Sequence, residues 1–210
     1  MYMRIFGNIA LTLVVALVAT VVVSCSNETD TTLTSQQTSI ANYLKNSHSP
    51  RLIEESALGD SLDDEPHFYV QWGVDLYRYI ATYYDEGRDL MPEVAWGDSL
   101  EIKYAAYIFP GSNPRNYAPY ATNDAELIAE LEAAGLNTSY EWTTDPYTIQ
   151  LGHTELIEVL ETALPGCRKG DKVEIYMTFE QAYGNDYIGL VPNKSAVAWF
   201  IEILDVTKQR

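Results

Sequence analysis

The stretch from Tyr147 to Val206 constrains the fold most, because it places one short helix between strands. Apolar residues recur at helical spacing from Leu156 to Leu164. Pro165-Gly166 then ends the helix, since proline cannot continue the hydrogen-bond ladder and glycine suits the left-handed position beyond it. An aromatic and aliphatic run from Val197 to Val206 is typical of a final buried strand.

Alternating apolar residues predict further strands along the chain. They are Phe68–Trp72, a less regular run over Val74–Tyr83, Ser99–Ile108, Tyr147–Leu151 and Val173–Thr178. In the run from Ser99, the side chains of Leu100, Ile102 and Tyr104 share one face, as expected of a half-buried strand.

Two helices are predicted outside the central stretch. One runs from Leu33 to Asn46 before Pro50, and because it is short it needs a surface to dock on. The other runs from Asn123 to Ala134, with Thr122 or Asn123 as its cap and Gly135 as its terminator.

Composition and charge exclude some classes of partner. A chain of 210 residues with 47% hydrophobic content can bury the core of one globular domain. Its formal net charge of -17 repels phosphate backbones and anionic lipid surfaces, so nucleic acid is not expected as a partner.

The amino terminus has the features of an export signal. Arg4 precedes an apolar run from Ile9 to Val23, which is shorter than a membrane span of about twenty residues. The following Ser24-Cys25 resembles the end of a bacterial lipobox, so we expect cleavage after residue 24 and a lipid on Cys25. A plain signal peptide or a signal anchor with an incidental cysteine is the alternative.

These features divide the chain into three parts. Residues 1–24 are the predicted signal peptide, residues 25–65 a lipidated tether with the amino-terminal helix, and residues 66–210 the main domain, with an insertion at about 110–146. Cys167 is then the second of two cysteines, so no disulfide is expected in the mature chain, and Cys167 is expected to be a buried small residue.

The familiar catalytic motifs do not occur in the sequence. No phosphate-binding loop and no Gly-x-Ser-x-Gly are found, and the three histidines are not spaced with other ligands as in a metal site. We therefore expect no metal and no cofactor, and we interpret His48, His67 and His153 as non-catalytic.

A series of landmarks nevertheless resembles one enzyme family. In chain order the landmarks are Trp96–Tyr104, Tyr147–Gly152, Leu156-Ile157, Gly166–Lys172, Gln181-Ala182-Tyr183-Gly184 and Val191-Pro192-Asn193, followed by the final strand. Together they resemble the FK506-binding-protein (FKBP) type of peptidyl-prolyl cis-trans isomerase, from about Val74 to Val206. The resemblance implies an α+β fold, in which a twisted antiparallel sheet wraps around one short helix. The inserted helix and the amino-terminal helix are additions to that fold.

The resemblance also implies a proline pocket between the sheet and the helix. It implies that the backbone N–H of Ile157 and the hydroxyl of Tyr183 bind substrate carbonyls. The implied pocket residues are Tyr104, Tyr147, Leu156, Leu160, Leu190, Val191 and Trp199, with Tyr120 as the nearest match to an aromatic residue that follows the family's early strand. Two positions depart from the family: Leu160 replaces a tryptophan, and Tyr120-Ala121 lacks the carboxylate of a Phe-Asp pair.

The sequence supports two hypotheses for function. The favoured one is a lipid-anchored isomerase that acts on X-Pro bonds of exported polypeptides in the bacterial cell envelope. The expected membrane is the outer one, on its periplasmic or its surface side. The alternative is a catalytically weak or inactive domain of the same type, which serves binding or assembly.

The lipid anchor can be tested directly. We expect the mature chain to begin at Cys25 and to carry the mass of a lipid on that residue. Intact-mass spectrometry of the chain from a bacterial host measures this. An unmodified mature terminus at another residue would contradict the prediction.

Overall fold

The computed structural model describes residues 31–59, 65–135, 142–153 and 157–209. The chain divides into two compact units, Met1–Ser35 and Gln36–Arg210, and the sheet and its cores belong to the second. The predicted signal peptide, Cys25 and Leu156 lie outside the described residues, so these predictions stay predictions.

Helices and strands occur largely where the hydrophobic pattern predicts them. Residues 31–42 are helical, and the part of this helix in the second unit, 36–42, is called α1 here; a π-helical turn follows it at Tyr43–Ser47. The other helices are α2 (Ala125–Ala133) and α3 (Glu158–Ala163). The strands are β1 (Ile53–Glu54), β2 (Phe68–Trp72), β3 (Leu76–Ile80), β4 (Ser99–Ile108), β5 (Ala121–Thr122), β6 (Tyr147–Gln150), β7 (Lys172–Met177) and β8 (Val197–Thr207).

The strands of the described chain form one sheet in the order β1-β2-β3-β7-β8-β4-β5. β6 also pairs with β4, so β5 and β6 share the edge of β4 that does not face β8. The two-residue pair β1–β2 is parallel, and the other described pairs are antiparallel. The predicted α+β fold is confirmed.

One face of the sheet packs against α3. Alternate residues of the central strands point to this face, and Leu160, Ala163 and Leu164 of the helix region are buried against them. This face is called the inner face here and its core the inner core. The strand residues of the inner core are Leu76, Ile80, Leu100, Ile102, Ala106, Ile149, Val173, Ile175, Met177, Val197, Trp199, Ile201, Ile203 and Val206.

The opposite face packs against the amino-terminal segment. Ile40 of α1, with Tyr43, Leu44 and Leu52, forms a second core with the other set of strand residues, which includes Tyr77, Tyr79, Tyr107, Phe109, Tyr176 and Phe200. Several of these rings meet edge to face, as Tyr43 and Phe109 do at a centroid distance of 5.4 Å. This face is the docking surface that the short amino-terminal helix requires.

A buried ion pair lies at the edge of the second core. His48 Nε2 is 2.9 Å from Glu174 Oε2, and the Tyr176 hydroxyl donates to the same oxygen at 2.6 Å. Burial lowers the pKa of His48, but the hydrogen bond and charge of Glu174 and the Pro50 carbonyl raise it more, so the net pKa lies above the ordinary 6.5. His48, which we interpret as non-catalytic, therefore links the amino-terminal segment to β7.

The cap of α2 differs from the prediction. Asp124, and not Thr122 or Asn123, caps the helix by accepting from the N–H groups of Glu126 and Leu127. Asn123 is used elsewhere, because its side chain accepts from the N–H of Tyr104 at 2.7 Å and donates to the Ile102 carbonyl. Thr122 likewise donates its hydroxyl proton to the Tyr104 carbonyl.

Within the described ranges, no helix is both long and apolar enough to span a bilayer.

The pair between His48 and Glu174 makes stability depend on pH. Because the folded-state pKa of His48 is raised, its contribution is fully present below the unfolded pKa and is lost as pH rises through the folded value. We expect the free energy of unfolding of the wild type, relative to His48→Gln, to fall from about pH 6 to about pH 9. Urea unfolding at the two pH values measures it, and a difference that stays constant or grows with pH would contradict it.

Candidate functional site

Helix α3 carries the first part of the candidate site. Ile157 is its N-cap residue, with a half-buried side chain that packs against the inner core. Leu160 is fully buried in the same core, one turn further along. The backbone at the start of the helix therefore lies beside the apolar face of the sheet. The family resemblance implies that the N–H of Ile157 binds a substrate carbonyl at this place.

Two charged side chains hold the carboxyl end of α3 and the turn that precedes the helix. At the carboxyl end, one guanidinium nitrogen of Arg78 donates to the carbonyls of Ala163 at 2.7 Å and Pro165 at 2.8 Å. Before the amino end, the buried carboxylate of Glu161 accepts from the N–H of Gly152 at 2.9 Å. These bonds satisfy polar groups that the short helix and its preceding turn leave open.

Aromatic side chains from three strands form a wall next to the helix. The rings of Tyr104 on β4 and Trp199 on β8 are stacked, with centroids 5.1 Å apart and an interplanar angle of 18°. Tyr147 on β6 meets the Tyr104 ring edge to face at 6.0 Å and is 37% exposed. The cluster thus runs from the buried Trp199 to a partly open edge at Tyr147.

Two tyrosine hydroxyls meet at the other side of the site. The oxygens of Tyr120 and Tyr183 are 3.2 Å apart. Burial raises the pKa of both hydroxyls; the hydrogen bond between them raises the pKa of Tyr120 further and lowers that of Tyr183. Each hydroxyl has one proton and can also accept, so the pair uses one of the two protons and leaves the other for another acceptor.

The indole nitrogen of Trp199 lies close to this pair. Its Nε1 is buried and has no fully formed hydrogen bond among the residues described. Trp199 lowers the pKa of the Tyr120 hydroxyl, while burial and the neighbouring Tyr183 raise it more.

The structure brings most of the sequence-predicted site residues into one cluster. The members that lie in the inner core or pack against it are Tyr104, Tyr120, Ile157, Leu160, Tyr183, Val191 and Trp199, and Tyr147 joins them through its contact with Tyr104. Leu190 does not join, because its side chain points outward and is 73% exposed. The placement of Leu156 is outside the described residues.

Arg78 and Glu161 are site residues that the sequence analysis missed. Arg78 occupies the same strand face as Leu76 and Ile80, so a charge in the middle of an apolar face was a visible signal. For Glu161 the signal was weaker, since an acidic residue on a short helix is usually solvated.

Two other kinds of reactive group remain to be considered, a buried thiol and side chains that could bind a metal ion. Cys167 is buried, as predicted, and burial raises the pKa of its thiol to about 11, so it is protonated at neutral pH. In the part of the chain that the structure describes, no three His, Cys, Asp or Glu side chains are grouped so as to hold a metal ion.

The contacts of Arg78 lead to a stability prediction. Arg78→Met leaves two carbonyls at the end of α3 without their donor, so we expect the free energy of unfolding to fall by about 2–3 kcal/mol. Arg51→Met, at an exposed position, is the control, with a change within about 0.5 kcal/mol. Urea unfolding measures both, and equal small losses would show that the Arg78 bonds contribute little.

Three comparisons with known proteins bear on this site. Residues 125–204 match the family model of the FKBP-type peptidyl-prolyl cis-trans isomerase. The match spans α2 to β8, so it contains Ile157, Tyr183 and Trp199 but not Tyr104 or Tyr120. No curated protein sequence matches the chain.

Among solved structures, one similar chain is a peptidyl-prolyl cis-trans isomerase from Pseudomonas syringae pv. tomato, with a crystal structure at 1.6 Å. The two chains are 15% identical with a TM-score of 0.49, and the alignment covers 86% of this chain and 96% of that one. The family match over residues 125–204, together with the sheet that packs against α3, supports an FKBP-type peptidyl-prolyl cis-trans isomerase domain in this chain.

Proposed function

We propose that the chain is a peptidyl-prolyl cis-trans isomerase that acts on X-Pro bonds of exported polypeptides while anchored to the cell envelope through Cys25. The single observation that carries the catalytic part is the cluster formed by Ile157, the stacked Tyr104 and Trp199, and the Tyr120–Tyr183 pair. The cluster has an aromatic part, formed by the rings of Tyr104 and Trp199, and a polar part, formed by the hydroxyls of Tyr120 and Tyr183.

Rotation about an X-Pro bond requires no nucleophile and no leaving group. The barrier of about 18–20 kcal/mol comes from amide resonance, which water favours. An aromatic environment at Tyr104 and Trp199 weakens that resonance, because it solvates the charge-separated form less well than water does. This accounts for an isomerase that has none of the usual catalytic motifs.

Two hydrogen-bond donors fix the substrate in this mechanism. The backbone N–H of Ile157 donates to one substrate carbonyl, and the Tyr183 hydroxyl donates to a neighbouring one. Tyr120 supports the second role, because the hydrogen bond between the two hydroxyls, with oxygens 3.2 Å apart, holds the Tyr183 hydroxyl in place. Both donors act through position and electrostatics, with no proton transferred.

The location in the envelope is supported by sequence features alone. The apolar run before Ser24-Cys25 and the polar segment after it favour export and a lipid anchor. The acidic net charge suits a chain that meets unfolded neutral or basic polypeptides and avoids nucleic acid. Proline-containing polypeptides are the proposed partners.

A second candidate is a peptide-binding domain with little or no catalysis. Leu160 and Trp199 favour it, because Leu160 is fully buried where the family has a tryptophan and Trp199 is 4% exposed. A site whose floor is aliphatic offers less aromatic surface to a proline ring. Peptide binding without acceleration of isomerisation would identify this function.

Tyr183→Phe tests the catalytic proposal. The variant removes one hydrogen-bond donor, so we expect kcat/KM for an X-Pro peptide to fall about tenfold. Tyr187→Phe is the matched control, because Tyr187 lies in the same loop with a 69% exposed side chain, and we expect it to resemble the wild type. A peptide-isomerisation assay with the full-length chain in mild detergent measures all three proteins.

The activity of the wild type tests the proposed function, and the activities of the variants test the proposed mechanism. Absence of acceleration by the wild type with every X-Pro peptide would refute the enzyme. Acceleration that Tyr183→Phe leaves unchanged would refute the role of Tyr183.

A further inference from the structure

The amino-terminal helix contacts the loop that carries Tyr183. This loop, residues 179–194, is called the Tyr183 loop here. The side-chain amide of Gln36 on α1 accepts from the N–H of Phe179 at 2.9 Å and donates to the carbonyl of Lys194 at 2.8 Å. A backbone N–H only donates and a backbone carbonyl only accepts, so the two partners fix which end of the amide faces each of them.

The same two loop residues hold the backbone beside Tyr183. Gly184 follows Tyr183 directly, and its N–H donates to the carbonyl of Phe179 at 2.8 Å. Its carbonyl accepts from the N–H of Lys194 at 2.9 Å. Gln36 therefore joins the same two residues, Phe179 and Lys194, that form the backbone hydrogen bonds of Gly184.

Lys194 is held in an unfavourable conformation. Its φ of 55° lies in the left-handed region, which is uncommon for residues other than glycine. Such a conformation persists only where the surroundings impose it, and the bonds to Gly184 and Gln36 act on both sides of this residue. The contact with α1 thus helps to define the shape of the loop.

The neighbouring glutamine makes a contact that does not reach the loop. Gln37 donates to the Asp75 carboxylate at 2.9 Å, and Thr178 donates its hydroxyl proton to the same oxygen. This bond fastens α1 to Asp75, directly before β3, and reaches Thr178 at the end of β7 only through the Asp75 carboxylate. Gln37 therefore provides a control on the same helix with a comparable contact.

We propose that Gln36 is a positioning residue for Tyr183, which makes the amino-terminal helix part of the isomerase site. Gln36 holds Phe179 and Lys194 at the separation that places Gly184, and with it the hydroxyl of the preceding Tyr183 beside Tyr120. The proposal rests on the proposed function, because the position of Tyr183 matters only if its hydroxyl binds substrate. It also means that the site depends on a residue outside the segment 125–204 that matches the family.

The test compares Gln36→Leu with Gln37→Leu in the full-length chain. Loss of alignment at Tyr183 is expected to lower kcat/KM for an X-Pro peptide about tenfold in Gln36→Leu and by less than about twofold in Gln37→Leu. In a Tyr183→Phe background, Gln36→Leu should add less than about twofold, because the group that it positions is already absent.

Amide hydrogen exchange gives a readout that does not need activity. The amides of Phe179, Gly184 and Lys194 should exchange faster in Gln36→Leu than in the wild type, and keep their protection in Gln37→Leu. Gln36→Glu keeps an acceptor for the Phe179 N–H but no donor for the Lys194 carbonyl. It should leave Phe179 protected and loosen Lys194, and it also serves if Gln36→Leu does not fold.

Three results would overturn the proposal. One is unchanged exchange at these amides in both Gln36 variants. Another is an active wild type whose kcat/KM Gln36→Leu does not lower. The third is an equal loss in the Tyr183→Phe background, which would mean that Gln36 acts through general stability. A wild type without isomerase activity would refute the proposed function, and the exchange data would still decide whether Gln36 holds the loop.

Discussion

Burial of both faces of the central strands is the constraint on which the structure depends. In β7 and β8, successive side chains enter different cores, so Ile175 faces α3 while Tyr176 faces the amino-terminal segment. A sheet with two apolar faces is stable in water only if both are covered. Helix α3 covers one, and the segment containing Ile40, Tyr43 and Leu44 covers much of the other.

The candidate site forms where these layers meet. The inner face supplies Tyr104 and Trp199, α3 supplies Ile157, and the loop between β7 and β8 supplies Tyr183. Since the strands are fixed by burial on both sides, their aromatic rings have rigid support. The polar half of the site is on a loop, and loops depend on individual hydrogen bonds for their shape.

Sequence reasoning succeeded where local pattern determines structure. The period of apolar residues located β2, β4, β6 and α3. The family resemblance grouped Tyr104, Tyr147 and Trp199, whose rings meet on the paired strands β4, β6 and β8. It failed where several residues compete for one role. Thr122, Asn123 and Asp124 can each cap a helix, and the choice of Asp124 depends on Asn123 being bound to β4. The pairing of His48 with Glu174, 126 positions apart, leaves no local pattern to detect.

The second aromatic core has a consequence for the smallest piece of this chain that can fold. A protein cut to residues 125–204 would lose α1 together with strands β1 to β5, and it would present Tyr176 and Phe200 to water. Rings of that size on an open strand face promote self-association. The segment needed for folding is therefore larger than residues 125–204, which match the family model. Truncation studies should keep the chain from Gln36 onward.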